Sequence, residues 1–173
     1  GLSILQSAPY RTVWKHPRNL APMPYRICKT IEIESGHMLS KHPDKCRFPH
    51  GHSRKVEIIL EANDLDDHGM VCDFKIVKEA VGDFLESYDH AICMNTQDPM
   101  FDTMKKAYGD RVIGFTETEP TTEVLAKTFF DAFRDKLGEY GSQGAPRYIL
   151  RDSVRLKRVR VWETSSSWAE YEE

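Results

Sequence analysis

Apolar and polar residues begin to alternate at Tyr25. In YRICKTIEIESGH, Ile27, Ile31, Ile33 and His37 fall on one parity, while Glu32 and Glu34 take the other. A period of two predicts a strand with one buried face. A second strand is predicted from about His52 to Glu61, with Val56, Ile58 and Leu60 facing one way. His50, His52 and Arg54 share that parity, so three histidines emerge on the inward side of two adjacent strands. The loop between the strands carries Cys46.

The period then changes. DFKIVKEAVGDFLESY sets Phe74, Val77, Val81, Phe84, Leu85 and Tyr88 at helical spacing, with Asp73 placed to cap the first turn. A shorter helical stretch is expected within residues 98–108, and RVIGF reads as a short strand. EPTTEVLAKTFFDAFRDKLG is a second main helix, with Pro120 in its first turn. Its stripe is Leu125, Phe129, Ala132, Phe133 and Leu137, and Gly138 is expected to end it. YILRDSVRLKRVRVWET returns to strand patterning. Val154 and Leu156 share one parity and Val159 and Val161 the other, so a β-bulge is predicted at Lys157-Arg158. Glu163 is in phase with Val159 and Val161, where an inward carboxylate is costly unless it meets a partner.

Strands, two main helices, then strands predict an α+β fold: an antiparallel four-stranded sheet with both helices on one face. Residues 25–173 read as one domain. Residues 1–24 contain prolines but no sustained periodicity, and read as an arm over the surface. The open sheet edges predict an oligomer.

Composition changes this picture little. The 173 residues carry 24 Lys and Arg against 27 Asp and Glu. No whole-chain field argues for nucleic acid or membrane. No apolar run is long enough to span a bilayer and no secretory signal is apparent, so a soluble, cytoplasmic protein is expected. The scattered Cys28, Cys46, Cys72 and Cys93 fit free thiols. Cys28, Cys72 and Cys93 read as small core hydrophobes.

The chemistry concentrates near residue 50. His-x-His on a strand aims two imidazoles the same way, and His37 arrives from the neighbouring strand. Three neutral imidazoles suit Zn²⁺ and leave its fourth position open, the arrangement of a catalytic site. Cys46, four residues before His50, is either a thiolate base beside the metal or a fourth ligand closing a structural site. Asp89 and His90 are adjacent and suit a proton-relay pair. Thr121, Thr122 and Glu123 are read as a helix opening. Glu163 is suited to hold a two-donor ring edge. No Gly-rich dinucleotide loop or P-loop is present, so zinc-assisted proton transfer next to a carbonyl or polyol is favoured over hydride or phosphoryl transfer.

In order along the chain stand SGH ending at His37, CRFPHGH, YDH at Asp89 and His90, PTTEVLA, and VRVWET ending before Ser165. On these five motifs the chain resembles the 6-pyruvoyltetrahydropterin synthase and 6-carboxytetrahydropterin synthase family, from about Tyr25 to Tyr171. The resemblance implies the tunnelling fold (T-fold), with trimers stacked in pairs as a hexamer. It implies His37, His50 and His52 as zinc ligands, Cys46 as general base and Asp89–His90 as the second proton-transfer element. Glu163, Thr121, Thr122 and Glu123 match pterin-contacting positions. The implied substrate is 7,8-dihydroneopterin triphosphate. The queuosine-pathway branch, which forms 6-carboxytetrahydropterin with loss of acetaldehyde and triphosphate, is the most similar. The pyruvoyl-forming branch and a non-catalytic pterin- or purine-binding module are the alternatives. Arg54 departs from the family, which commonly has an aromatic there, and YDHAICMN is an unusual version of its Leu-Asp-His loop.

Overall fold

A computed structural model describes residues 24–143 and 147–173. The expected arm, except for Pro24, lies outside the described residues. Two long strands form the spine: β1 (Tyr25–Met38) and β2 (His50–Ala62), paired antiparallel from Tyr25↔Ala62 to His37↔His50. A 3₁₀ turn over Lys45–Arg47 lies between them. Helix α1 (Phe74–Tyr88) follows, then β3 (Ala91–Asn95), α2 (Phe101–Tyr108), β4 (Val112–Phe115), α3 (Thr122–Ser142), β5 (Arg155–Thr164) and β6 (Ser167–Glu172). The fold is α+β, as the patterning predicts.

The sheet differs from the expected one in size and sense. Among the described residues it has six strands in the order β4-β3-β1-β2-β5-β6, not four. It is also mixed, because β3 pairs with β1, and β4 with β3, in parallel. The reason lies in the connections. Helix α1 returns the chain from the end of β2 toward the His37 end of β1, so β3 enters beside Ser35 in the direction of β1, and the connection through α2 then sets β4 parallel to β3. At five residues, β3 is too short to display a period.

The core lies between the sheet and the two long helices. Val56, Ile58, Leu60, Val159 and Val161 meet Ile76, Val77, Val81 and Leu85 of α1, and Leu125, Phe129, Phe130 and Phe133 of α3. Truncating one of these phenylalanines to alanine costs about 3–5 kcal/mol. Asp73 accepts from Lys75 N–H and caps α1. Phe74, expected in the stripe, is instead 50% exposed, because the first helical position precedes the turn that meets the core. Cys72 and Cys93 are buried, but Cys28 is exposed on the face of the sheet away from the helices.

The predicted bulge is present. Ile59 pairs with Arg158 and Leu60 with Leu156, leaving Lys157 unmatched. That extra residue shifts the parity of β5, and so brings Glu163 to the helix side. Two expectations for α3 need correction. The helix starts at Thr122 after Pro120, with Thr121 as its cap, and it runs through Gly138 to Ser142. Gly138 has a helical backbone and keeps the ladder; a Cβ there would meet nothing within 4 Å.

Candidate metal centre and active site

The ladder between β1 and β2 builds the site. His37 and His50 are direct cross-strand partners, and His52 stands one pleat further along the same face. The rings pack with centroids 4.5 Å apart for His37–His50, and 5.1 Å for His37–His52 and His50–His52. Glu163 joins them from β5. One donor atom from each of the four residues lies within 4.8 Å of all the others.

Backbone carbonyls set the tautomers. His37 Nδ1 is 2.8 Å from Pro120 O, and His50 Nδ1 is 2.8 Å from Phe48 O. A carbonyl only accepts, so each Nδ1 carries the hydrogen and each Nε2 keeps a lone pair turned inward. His37 Nε2 lies 3.2 Å from His52 Nε2, and Glu163 Oε1 lies 3.3 Å from both. Such a convergence of acceptors is repulsive unless a cation or proton shares it. A tetrahedral ion with bonds of about 2.0–2.1 Å holds its donors roughly 3.3 Å apart, so the residues present fit a divalent metal of the zinc type.

Burial favours the neutral rings that a metal needs. Burial first, and the Arg54 charge as well, push the His37 imidazole down from 6.5 to about 4, although Pro120 O raises it. His52 is lowered for the same two leading reasons.

Arg54 lies behind this cluster, on the same face of β2 one pleat beyond His52. It is fully buried. Its Nη1 donates to Thr122 Oγ1 at 3.0 Å. Thr121 accepts from Val124 N–H as the cap of α3, and Glu123 is exposed in the first turn. Of the three expected contact positions in this motif, the structure engages Thr121 and Thr122 in holding the helix start. Just before them, Glu119 accepts from Ser40 Oγ at 2.6 Å and Asn95 Nδ2 at 3.0 Å, which fixes the lead-in that presents Pro120 O to His37. Nothing in the sequence pattern signals Pro120 O, because a backbone carbonyl leaves no residue-type signature.

Cys46 sits in the 3₁₀ turn, half-buried, with its carbonyl accepting from Leu39 N–H at 3.0 Å. Its thiol is outside the group of converging donors, and Glu163 supplies the fourth member instead.

Asp89 and His90 form a separate unit. Asp89 Oδ1 accepts from Glu34 N–H at 2.7 Å, and Oδ2 is 2.7 Å from His90 Nδ1. The hydrogen bond from Glu34 N–H, and next that to His90, hold the Asp89 carboxyl below its usual value. His90 has a left-handed backbone, φ 56°, pinned by its N–H to Glu34 O at 2.6 Å. A non-glycine residue in that region marks a position the surroundings impose. Its ring is 74% exposed.

Two clefts meet at His52. One, of about 520 Å³, is lined by Glu34, Ser53, His90, Tyr108 and Arg111, and its floor is the cross-strand pair Gly36 and Gly51. A Cβ on Gly36 would come 3.2 Å from His50 O, so the bare backbone keeps this floor clear. The other, of about 560 Å³, is lined by Lys55, Glu57, Trp162, Glu163 and Thr164.

Residues 26–173 match the family of 6-pyruvoyl tetrahydropterin synthase. The chain is 33% identical over 169 residues to the 6-carboxy-5,6,7,8-tetrahydropterin synthase of Aquifex aeolicus, covering 87% of this chain and 99% of that protein. It is 32% identical over 147 residues to the protein of the same name from Rickettsia conorii, covering 84% and 98%. In fold it is similar to 6-pyruvoyl tetrahydropterin synthase of Plasmodium vivax, with a TM-score of 0.64 at 15% identity, covering 87% of this chain and 98% of the other.

Proposed function

The chain belongs to the 6-pyruvoyl tetrahydropterin synthase family and has its T-fold, and from that premise we propose that it is a zinc-dependent carbon–carbon lyase. Its reaction is conversion of 7,8-dihydroneopterin triphosphate to 6-carboxytetrahydropterin with loss of acetaldehyde and triphosphate, a step toward queuosine and related 7-deazapurines. The branch follows the printed activity of the relatives in Aquifex and Rickettsia. The observation that carries the reading is the cluster of His37, His50 and His52, with the first two rings held in the metal-ready tautomer by backbone carbonyls.

His37, His50 and His52 would hold the zinc, which when bound polarises the hydroxyls of the substrate side chain. Cys46, on the turn between β1 and β2, takes a proton as general base. Asp89 accepts from His90 Nδ1–H and so leaves His90 Nε2 facing the cleft to move the second proton. Glu163, 32% exposed at the mouth of the 560 Å³ cleft, anchors the amino-pyrimidine edge of the pterin, with the α3 start at Thr121, Thr122 and Glu123 beside it. The exposure of His90 and the free edges of β4 and β6 support a site completed by another copy, in a hexamer built as a dimer of trimers. Four free thiols support a cytoplasmic setting. Among the described residues no helix is long and apolar enough to cross a membrane.

The test is incubation of purified protein with 7,8-dihydroneopterin triphosphate and identification of products by mass spectrometry. The expected products are 6-carboxytetrahydropterin and acetaldehyde. A 6-pyruvoyl product without acetaldehyde moves the chain to the other branch, and tight pterin binding without product makes it a binding module. Cys46→Ala is expected to retain zinc and lose turnover by about 10²-fold or more. Loss of zinc instead would make the thiol a ligand.

A further inference from the structure

Among the described residues, Arg54 heads the fully buried side chains by size, at 0% exposure. A guanidinium carries five N–H donors. Here one hydrogen bond is secure, to Thr122 Oγ1. Nη2 lies 3.4 Å from His37 Nδ1, but that nitrogen already donates its hydrogen to Pro120 O and has no lone pair to offer. Nε has no partner. A buried cation left this open is costly, and it costs more beside a site that gathers a second cation.

Its counterpart faces it across the ladder. Val56 of β2 pairs with Val161 of β5, and Arg54 and Glu163 each lie two residues beyond that pair, in the same direction and on the same face. The two charges thus flank one imidazole. Arg54 stands at the Nδ1 side of His37, and Glu163 stands 3.3 Å from its Nε2.

We propose that Arg54 is a positioning residue that sets the metal affinity of the histidine cluster. Its fixed positive charge behind His37 opposes a divalent cation, and the Glu163 carboxylate on the opposite side offsets that charge. Metal is therefore held more firmly while Glu163 faces the cluster. A ligand that draws Glu163 into the adjoining cleft loosens the metal, and by linkage a bound metal opposes that movement. An aromatic residue at position 54 would lack this coupling. The inference rests on the metal cluster and not on any pterin chemistry.

The experiment is a Zn²⁺ competition titration of the metal-free full chain against a chromophoric chelator, with Co²⁺ absorption as the readout of ligand geometry. Arg54→Met is expected to bind Zn²⁺ about tenfold more tightly than wild type, and Glu163→Gln about tenfold more weakly. Arg54→Lys, which keeps the charge, should stay within about threefold. Arg54→Gln keeps a donor for Thr122 and carries the same expectation as Arg54→Met, should the latter fold poorly. Thr122→Val separates charge from anchoring, and is expected to leave the affinity unchanged. Neutral variants that bind no more tightly than wild type overturn the proposal. So does a Thr122→Val that reproduces their effect, or a lysine variant that behaves like the neutral ones. No turnover is measured, so a chain that proves not to be a lyase leaves this result standing, and the reverse also holds.

Discussion

Strand β2 buries two charged residues seven positions apart, and the protein treats them in opposite ways. Glu61, 2% exposed, is closed on both oxygens: Arg26 Nε donates at 2.9 Å and Arg155 Nε at 2.6 Å. Burial pushes its carboxyl up, but the two arginines outweigh burial and hold it below the ordinary carboxylate value. Arg54, fully buried toward the other end of the strand, has one hydroxyl and, among the described residues, no partner for its Nε. The ion network of Glu61 is complete within the chain and serves stability. Arg54 is left open beside a convergence of lone pairs, where a charge acts on what binds. A buried charge satisfied by its own neighbours is architecture, and one left wanting beside a cluster of donors points to a site.

The most severe way to sharpen this contrast is His52→Ala. Metal analysis after desalting is expected to show loss of bound metal with the unfolding midpoint of the metal-free protein little changed, because the His52 ring is partly exposed. A large loss of metal-free stability would mean that the open end is architectural too.

Acid separates the two ends next. The folded chain holds His37 at about 4 against 6.5, so between those values the unfolded chain binds more protons. Metal-free stability is therefore full above pH 6.5 and falls as pH drops through that window, by at most about 3 kcal/mol. The Glu61 carboxyl is depressed below 4.5, so its contribution is full above 4.5 and is lost only below. Urea unfolding from pH 7 to 3 reads both windows. Stability that stays flat from pH 7 to 4.5 would erase the distinction.

Substitution of the two charges themselves gives smaller effects of opposite sense. Glu61→Gln is expected to lower stability by about 1–2 kcal/mol with zinc affinity unchanged. Arg54→Met, which replaces an open buried cation with an apolar chain, should leave metal-free stability equal or raise it by about 1 kcal/mol. Equal losses in chemical denaturation would break the comparison. The smallest effect belongs to Gly138, on α3 at the edge of a cavity that Glu61 and Arg155 also line. Its substitution by alanine should add about 0.5–1 kcal/mol, seen as a raised melting temperature, without altering zinc binding.

Legibility followed the reach of local patterning. The period of two in β1 and β2 put His37, His50, His52 and Arg54 on one face, and the parity slip in LKRVRV located the bulge that turns Glu163 inward. Strands β3 and β6 were not resolved as separate strands, because five or six residues carry too few periods. Type and spacing predict Cys28 and Phe74 to be buried, but one lies on the far face of the sheet and the other at a helix start. Gly138 predicts a stop because its cost in a helix is real, yet packing of Leu137 and Tyr140 on either side carries the helix past it.

By itself, the sequence determined which residues share a face, where α1 is capped and which histidines can meet a metal, since these depend on periods of two and 3.6 and on neighbours a few positions away. Only the tertiary structure decided that β3 and β4 run parallel to β1, that Pro120 O fixes the His37 tautomer, and that Glu163 rather than Cys46 stands beside the imidazoles. Those contacts join residues far apart in the chain, and long-range packing, not local propensity, chooses among them.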